Sequence, residues 1–279
     1  RNTGIRRDIM QGTLTKLRAL LESPVAYALR VGDQTLDLNP LIGKPLVLKY
    51  TGQILCDACG RRTNKSFAQG HCYPCMTKLA RCDMCVMKPE TCHYAAGTCR
   101  EPDWGEKHCM TDHIVYLANT SALKVGITRC NQVPTRWLDQ GATQALPIAR
   151  VKTRHISGLV EVAIARSVAD KTNWRAILKG NGDAIDLNAA QSDALAGISD
   201  DLAAIAREHG EDTFEILEES PVDIHYPVET WPEKIKSHHF DKTPEVSGTL
   251  MGIKGQYLIF DTGVINIRKF TGYEVAVSS

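Results

Sequence analysis

The stretch "HIVYLANTSALKVGITR", residues 113–129, decides how the middle of this chain folds. Its first half is a β-branched and aromatic run, its centre "NTSA" is small and polar, and "LKVGIT" is again a strand sequence. This pattern predicts a β-hairpin. Downstream, "VPTRWLDQGA" starts a short helix after Pro134 and "PIARVKTR" makes a third strand. "SGLVEVAIARSVADK" follows as a helix, with Ser157 as its expected cap. The predicted order over residues 111–186 is β-β-α-β-α.

Nine of the ten cysteines precede this stretch, between Cys56 and Cys109. Cys56-x2-Cys59 and Cys72-x2-Cys75 form two knuckles, each offering a pair of sulfurs to one metal. Four thiolates in a tetrahedron are what structural zinc takes, and such a site leaves no open position for water. A second zinc is expected at Cys82 and Cys85, a third knuckle. Its other two ligands are Cys99 and Cys109, or Cys92 with one of them, and His93 lies within the same block. Cys130 stands apart and reads as an ordinary thiol.

Around these motifs the chain divides into five expected parts. Residues 1–55 form an amino-terminal β-unit, 56–110 a two-site zinc module and 111–186 the β-β-α-β-α domain. An acidic helical segment and its connection span 187–235, and 236–279 form a carboxy-terminal β-unit. The two ends share a texture: Gly12 and Gly248 each open a Gly-Thr-Leu, Tyr27 and Tyr257 precede apolar strands, and Gly43 and Gly272 mark later turns. They are expected to be related β-units that pack together. Leu195, Ile198, Leu202 and Ile205 recur at helical spacing and predict one helix over residues 188–209. The fold class is therefore α+β.

The net charge of +1 conceals a partition, because residues 187–235 carry 12 acidic and 2 basic side chains while the preceding parts are basic. Clustered cations suit a polyanion such as DNA or RNA. Arg61, Arg62 and Lys65 beside the first knuckles, with Arg129 and Arg154, are the candidate nucleic-acid contacts. No apolar run reaches the roughly 18–20 residues of a membrane span, so a cytoplasmic chain with no membrane partner is expected. The oligomeric state is open.

The hairpin resembles that of the GIY-YIG nuclease superfamily. Ile114-Val115-Tyr116 stands at the GIY triplet and Lys124-Val125-Gly126 at the YIG triplet, while Arg136 occupies the following helix as the superfamily's arginine does. Glu161 stands where the metal-binding glutamate is expected, and Asn173 matches the trailing asparagine. The resemblance covers about residues 111–180. The zinc block followed by "HIVYLA" and "KVGITR" also looks like an uncharacterised bacterial protein family. Two departures stand out: Ile114 replaces the first glycine and Lys124 the second tyrosine, although some branches carry a KIG-like second triplet. The resemblance implies a small three-stranded sheet and hydrolysis of phosphodiester bonds with Mg²⁺ or Mn²⁺.

The residues support this chemistry on their own terms. Phosphodiester cleavage needs an activated water, cations facing the equatorial oxygens and a Lewis acid at the leaving oxygen. Tyr116 would position or deprotonate the water, with Lys124 favouring a phenolate. The planar fork of Arg136 would hold phosphate oxygens. Glu161 is the only acid among residues 159–165, an apolar run in which a carboxylate is costly unless paired or metal-bound. His155, just before it, is a possible second base. Two other functions fit the same sequence: a nucleic-acid-binding protein that kept the scaffold without catalysis, and a zinc-stabilised scaffold for protein partners.

Overall fold

The computed structural model of the chain describes residues 9–168 and 173–279. Ile9–Thr13 (β1), Arg18–Leu20 (β2), Ala26–Val31 (β3), Gln34–Asp37 (β4), Pro45–Leu55 (β5) and Arg62–Thr63 (β6) come first. Three short helices follow, Tyr73–Lys78 (α1), Met84–Met87 (α2) and Pro102–His108 (α3). His113–Asn119 (β7), Leu123–Arg129 (β8), Thr135–Asp139 (α4), Gln144–Val151 (β9), Arg154–Ala165 (α5) and Trp174–Ile177 (α6) make up the middle. Leu187–Gly197 (α7), Ser199–His209 (α8), Phe214–Ile216 (β10) and Val222–Asp223 (β11) precede the last four strands. These are Glu245–Lys254 (β12), Tyr257–Phe260 (β13), Gly263–Asn266 (β14) and Tyr273–Ser278 (β15). The result is a mixed α+β chain with several sheets.

Packing divides the chain into two compact units. The first comprises Arg1–Met76, Leu178–Gly180 and His225–Ser279, the second Thr77–Ile177 and Asn181–Ile224. The cysteine block is thereby split, with Cys56, Cys59, Cys72 and Cys75 in the first unit and the later cysteines in the second.

In the first unit the two ends of the chain share one sheet, in the order β1-β15-β5-β12-β13-β14, with β6 paired to β5. The long strand β5 lies between β15 and β12, antiparallel to both. A separate three-stranded sheet, β2-β3-β4, completes the unit. Side chains alternate between buried and half-buried along β3 and β15, as expected of strands with one face on a core. The likeness between the ends extends to their order of elements. Each runs through the hairpin β3-β4 or β13-β14, a 3-10 turn and a left-handed glycine (Gly43 or Gly272) before the strand β5 or β15.

In the second unit an antiparallel sheet runs β10-β9-β7-β8, and β11 adds to β9. Every residue of β7 is buried, because it is an inner strand covered on both faces. One face carries Val115, Leu117 and Val125 into a core with Ile156, Val160 and Ile164 of α5. Tyr116 projects from the other face against Trp137 of α4, with ring centroids 6.0 Å apart.

Two local expectations need correction. Helix α5 is capped by Thr153, whose side chain accepts from the Ile156 amide at 3.3 Å. Ser157 instead lies inside the helix, fully buried, and its hydroxyl donates to the Arg154 carbonyl at 2.6 Å. The single helix expected over residues 188–209 is two, α7 and α8, parted at Ile198. Gly197 weakens the helix there, and Asp200 and Asp201 favour a fresh amino-terminal turn. Among the described residues no helix is long and apolar enough to cross a membrane.

Candidate active site and metal centres

Tyr116 and Gly126 face each other across the hairpin. A Cβ on Gly126 would sit 2.6 Å from the Tyr116 Cζ and Oη, so the glycine is the space into which the tyrosine ring folds. Thus the ring is fully buried, and its hydroxyl donates to Oε1 of Gln140 at 2.7 Å. Burial pushes the phenol up to about 12, against the opposing pull of the Arg136 guanidinium beside it. This corrects the expected phenolate: a phenol shut away from water and donating to an amide keeps its proton at neutral pH.

Glu161 lies seven residues beyond Arg154 on α5, and Gly158 falls between them on the same helical face. Burial pushes its carboxyl up to about 7. Lys124, Arg154 and Arg136 pull it down, and Glu90 pushes it further up. The fields of Arg136 and Glu161 both reach Tyr116. Of the residues that the sequence singled out, Arg136 and Glu161 act on Tyr116, and Lys124 and Arg136 act on Glu161, from β7, β8, α4 and α5. A carboxyl that stays at about 7 despite three cations is poorly solvated, and a divalent metal with oxygen ligands would relieve it.

Two members of this group were not foreseen. Gln140 had a readable signal, since it stands four residues after Arg136 and so on the same side of α4. Glu90 had none, because only tertiary packing brings it near. The 3-10 turn Pro89–Thr91 presses its backbone onto α5 where Gly158 lacks a side chain. A Cβ there would come 2.7 Å from Pro89 and closer still to the Glu90 nitrogen.

The other candidates lie elsewhere or serve other ends. Asn173 is exposed, and its Oδ1 accepts from the Arg175 amide at the start of α6. Arg154 is largely withdrawn from solvent, and its Nη2 donates to the Val86 carbonyl at 2.6 Å. That bond ties the start of α5 to α2. Arg129 ends β8 and its charge reaches Cys109. Arg61, Arg62 and Lys65 are exposed in the first unit, where Lys65 Nζ lies 5.3 Å from the Phe67 ring centroid. His155 packs edge-on to His209, with centroids 5.6 Å apart.

The sulfurs of Cys56, Cys59, Cys72 and Cys75 all lie within 4.8 Å of one another, and those of Cys59 and Cys72 are 3.7 Å apart. Burial raises the Cys56 thiol, but hydrogen bonds from Cys72, Cys59 and Ala58 outweigh it and bring the thiol down to about 6. One sulfur of the quartet is thus readily a thiolate, and this donor set fits a zinc ion. In the second unit Cys85, Cys92, Cys99 and Cys109 line one small cavity. Cys82, expected to pair with Cys85 as a knuckle, does not line it. It closes a 3-10 turn, after which Asp83 caps α2 by accepting from the Cys85 amide at 3.4 Å.

No curated protein and no solved structure matches this chain. The family described as "Protein of unknown function (DUF2797)" matches residues 43–275, spanning strands from both ends of the first unit and the whole of the second, and the chain belongs to that family.

Proposed function

We propose that the second unit is a Mg²⁺- or Mn²⁺-dependent phosphodiesterase of the GIY-YIG kind, acting on DNA or RNA. The observation that carries this reading is that Glu161 on α5 feels the charges of Lys124 and Arg136 and itself acts, with Arg136, on the Tyr116 phenol that folds over Gly126. The succession β7-β8-α4-β9-α5 supports it as well.

In this reading Glu161 holds the metal through its carboxylate. The metal, when bound, would acidify a water and offset charge on the leaving oxygen. Arg136 and Lys124 face the non-bridging phosphate oxygens, where negative charge grows. Tyr116, protonated and tied to Gln140, fixes the α4 side of the site and keeps Arg136 in place. Water activation therefore does not pass through a tyrosinate. Arg154 sets the Glu161 carboxyl from behind while bound to Val86.

The test is cleavage of supercoiled DNA and of structured RNA by the whole chain with Mg²⁺ or Mn²⁺. Glu161→Gln should lower the rate by about 10²-fold or more, with zinc content unchanged. Equal rates in the variant, or no cleavage by the parent on either substrate, end the proposal. The complete burial of Tyr116 favours one second reading, a binding protein without catalysis. That reading predicts binding that falls steeply with salt and no cleavage.

A further inference from the structure

Around α2 the chain gathers one carboxylate, one thiol and one imidazole. Asp83, Cys85 and His93 each offer a donor atom within 4.8 Å of the other two, and all three border the same cavity of about 20 Å³. The surroundings of His93 fix which of its nitrogens carries the proton. The Thr98 hydroxyl donates to the His93 carbonyl at 3.3 Å, so in its 2.8 Å bond with Nδ1 it accepts, and the ring proton stays on Nδ1. The lone pair of Nε2 then faces Asp83 Oδ2 at 3.5 Å. Arg100 Nε donates to that same oxygen at 2.6 Å, which keeps the carboxyl ionised. Two acceptors thus confront each other, an arrangement that repels unless a cation lies between them. A protonated His93 paired directly with Asp83 would close to about 2.7–2.9 Å. A metal ion sets the two apart instead: nitrogen and oxygen ligands at about 2.0–2.1 Å from a tetrahedral zinc are about 3.3–3.5 Å from each other.

We propose that Asp83, Cys85 and His93 hold a second zinc ion, through a carboxylate oxygen, Sγ and Nε2. Thiolate, imidazole and carboxylate are all ordinary zinc donors. Groups behind the ligands orient them, as outer partners of metal sites do: Thr98 holds His93, and Arg100 holds Asp83. Three protein ligands leave a tetrahedral ion one further position, and the partly open cavity beside them is the size of a single water. This site therefore differs in kind from the quartet of Cys56, Cys59, Cys72 and Cys75. That one is closed by four sulfurs, whereas this one has mixed donors and an exchangeable fourth ligand. Cys92, Cys99 and Cys109, which the sequence offered as ligands, serve as walls of the cavity. The ion closes residues 83–93 into a loop, and that loop carries Pro89–Thr91 onto α5. This inference is independent of the phosphodiesterase reading.

The test is the zinc content of the whole chain after desalting, read by atomic emission. The parent should hold about two zincs per chain, one in each site. Asp83→Asn, which can still cap α2, and His93→Gln should each fall to about one, whereas Cys92→Ser and Cys99→Ser should stay at about two. Retention of both zincs by Asp83→Asn or His93→Gln, or loss of one by either cysteine variant, overturns the proposal. Should the variants fail to accumulate, zinc-edge X-ray absorption of the unaltered chain decides alone. The scattering pattern of an imidazole at about 2.0 Å beside sulfur at about 2.3 Å sustains it, and sulfur-only coordination ends it.

Discussion

The first cysteine quartet is closed on itself, and the second leans on its surroundings. Cys56, Cys59, Cys72 and Cys75 come from two knuckles and are drawn together by local turns, with sulfurs already at zinc spacing. Cys85, Cys92, Cys99 and Cys109 are spread along helices and loops, and their neighbour Arg154 also faces Glu161. Local chain geometry makes the first site. Tertiary packing gathers the second quartet, and the same Arg154 interacts with its Cys109 and with Glu161.

The largest effect should come from the closed quartet. Cys72→Ser removes a buried thiol of the quartet, and because zinc held there would contribute its binding free energy to folding, the first unit should lose several kcal/mol of stability. Calorimetry should show a separate, lower transition, while the Glu161 group stays intact. If metal-dependent activity collapses as well, the two quartets are not independent. A smaller loss should follow Gly158→Ala, which drives a methyl into Pro89 and the Glu90 backbone, at about 1–3 kcal/mol. Its mark should be an altered Glu161 titration by NMR with the zinc of the first quartet undisturbed. An unshifted titration would separate the second quartet's segment from the active site.

The smallest effect concerns pH. Glu161 is held at about 7 in the fold, above its ordinary value near 4.5, so the folded chain binds this proton more tightly than the unfolded one. Its raised value therefore costs nothing at acidic pH and takes away stability as pH rises from about 4.5 through 7. Binding of Mg²⁺ to the carboxylate has the opposite slope and should strengthen about tenfold between pH 6 and 8. Isothermal titration should find this slope in the parent and in Cys72→Ser, and not in Glu161→Gln.

Much of this was legible in the sequence, for a physical reason. The hairpin around Gly126, the knuckles at Cys56 and Cys72, and the elements bearing Tyr116, Arg136 and Glu161 are set by local periodicity and spacing. What local pattern hides is burial and long-range packing. The phenol of Tyr116 looked like a base until its burial was known. Cys82 completes a C-x2-C with Cys85, yet it is not among the residues that line the cavity shared by Cys85, Cys92, Cys99 and Cys109, a matter of packing that spacing does not show. Glu90 acquires its place only because Gly158, far along the chain, leaves room.

The shared sheet of the first unit has a consequence for synthesis. Strand β5 emerges from the ribosome early, but its neighbours β12 and β15 are made only after the entire second unit. The second unit is drawn from one nearly continuous stretch, Thr77–Ile177 and Asn181–Ile224, and can settle while translation continues. The early strands must wait with open edges until the last residues arrive, and that waiting period is when nascent chains of this protein are most exposed to aggregation.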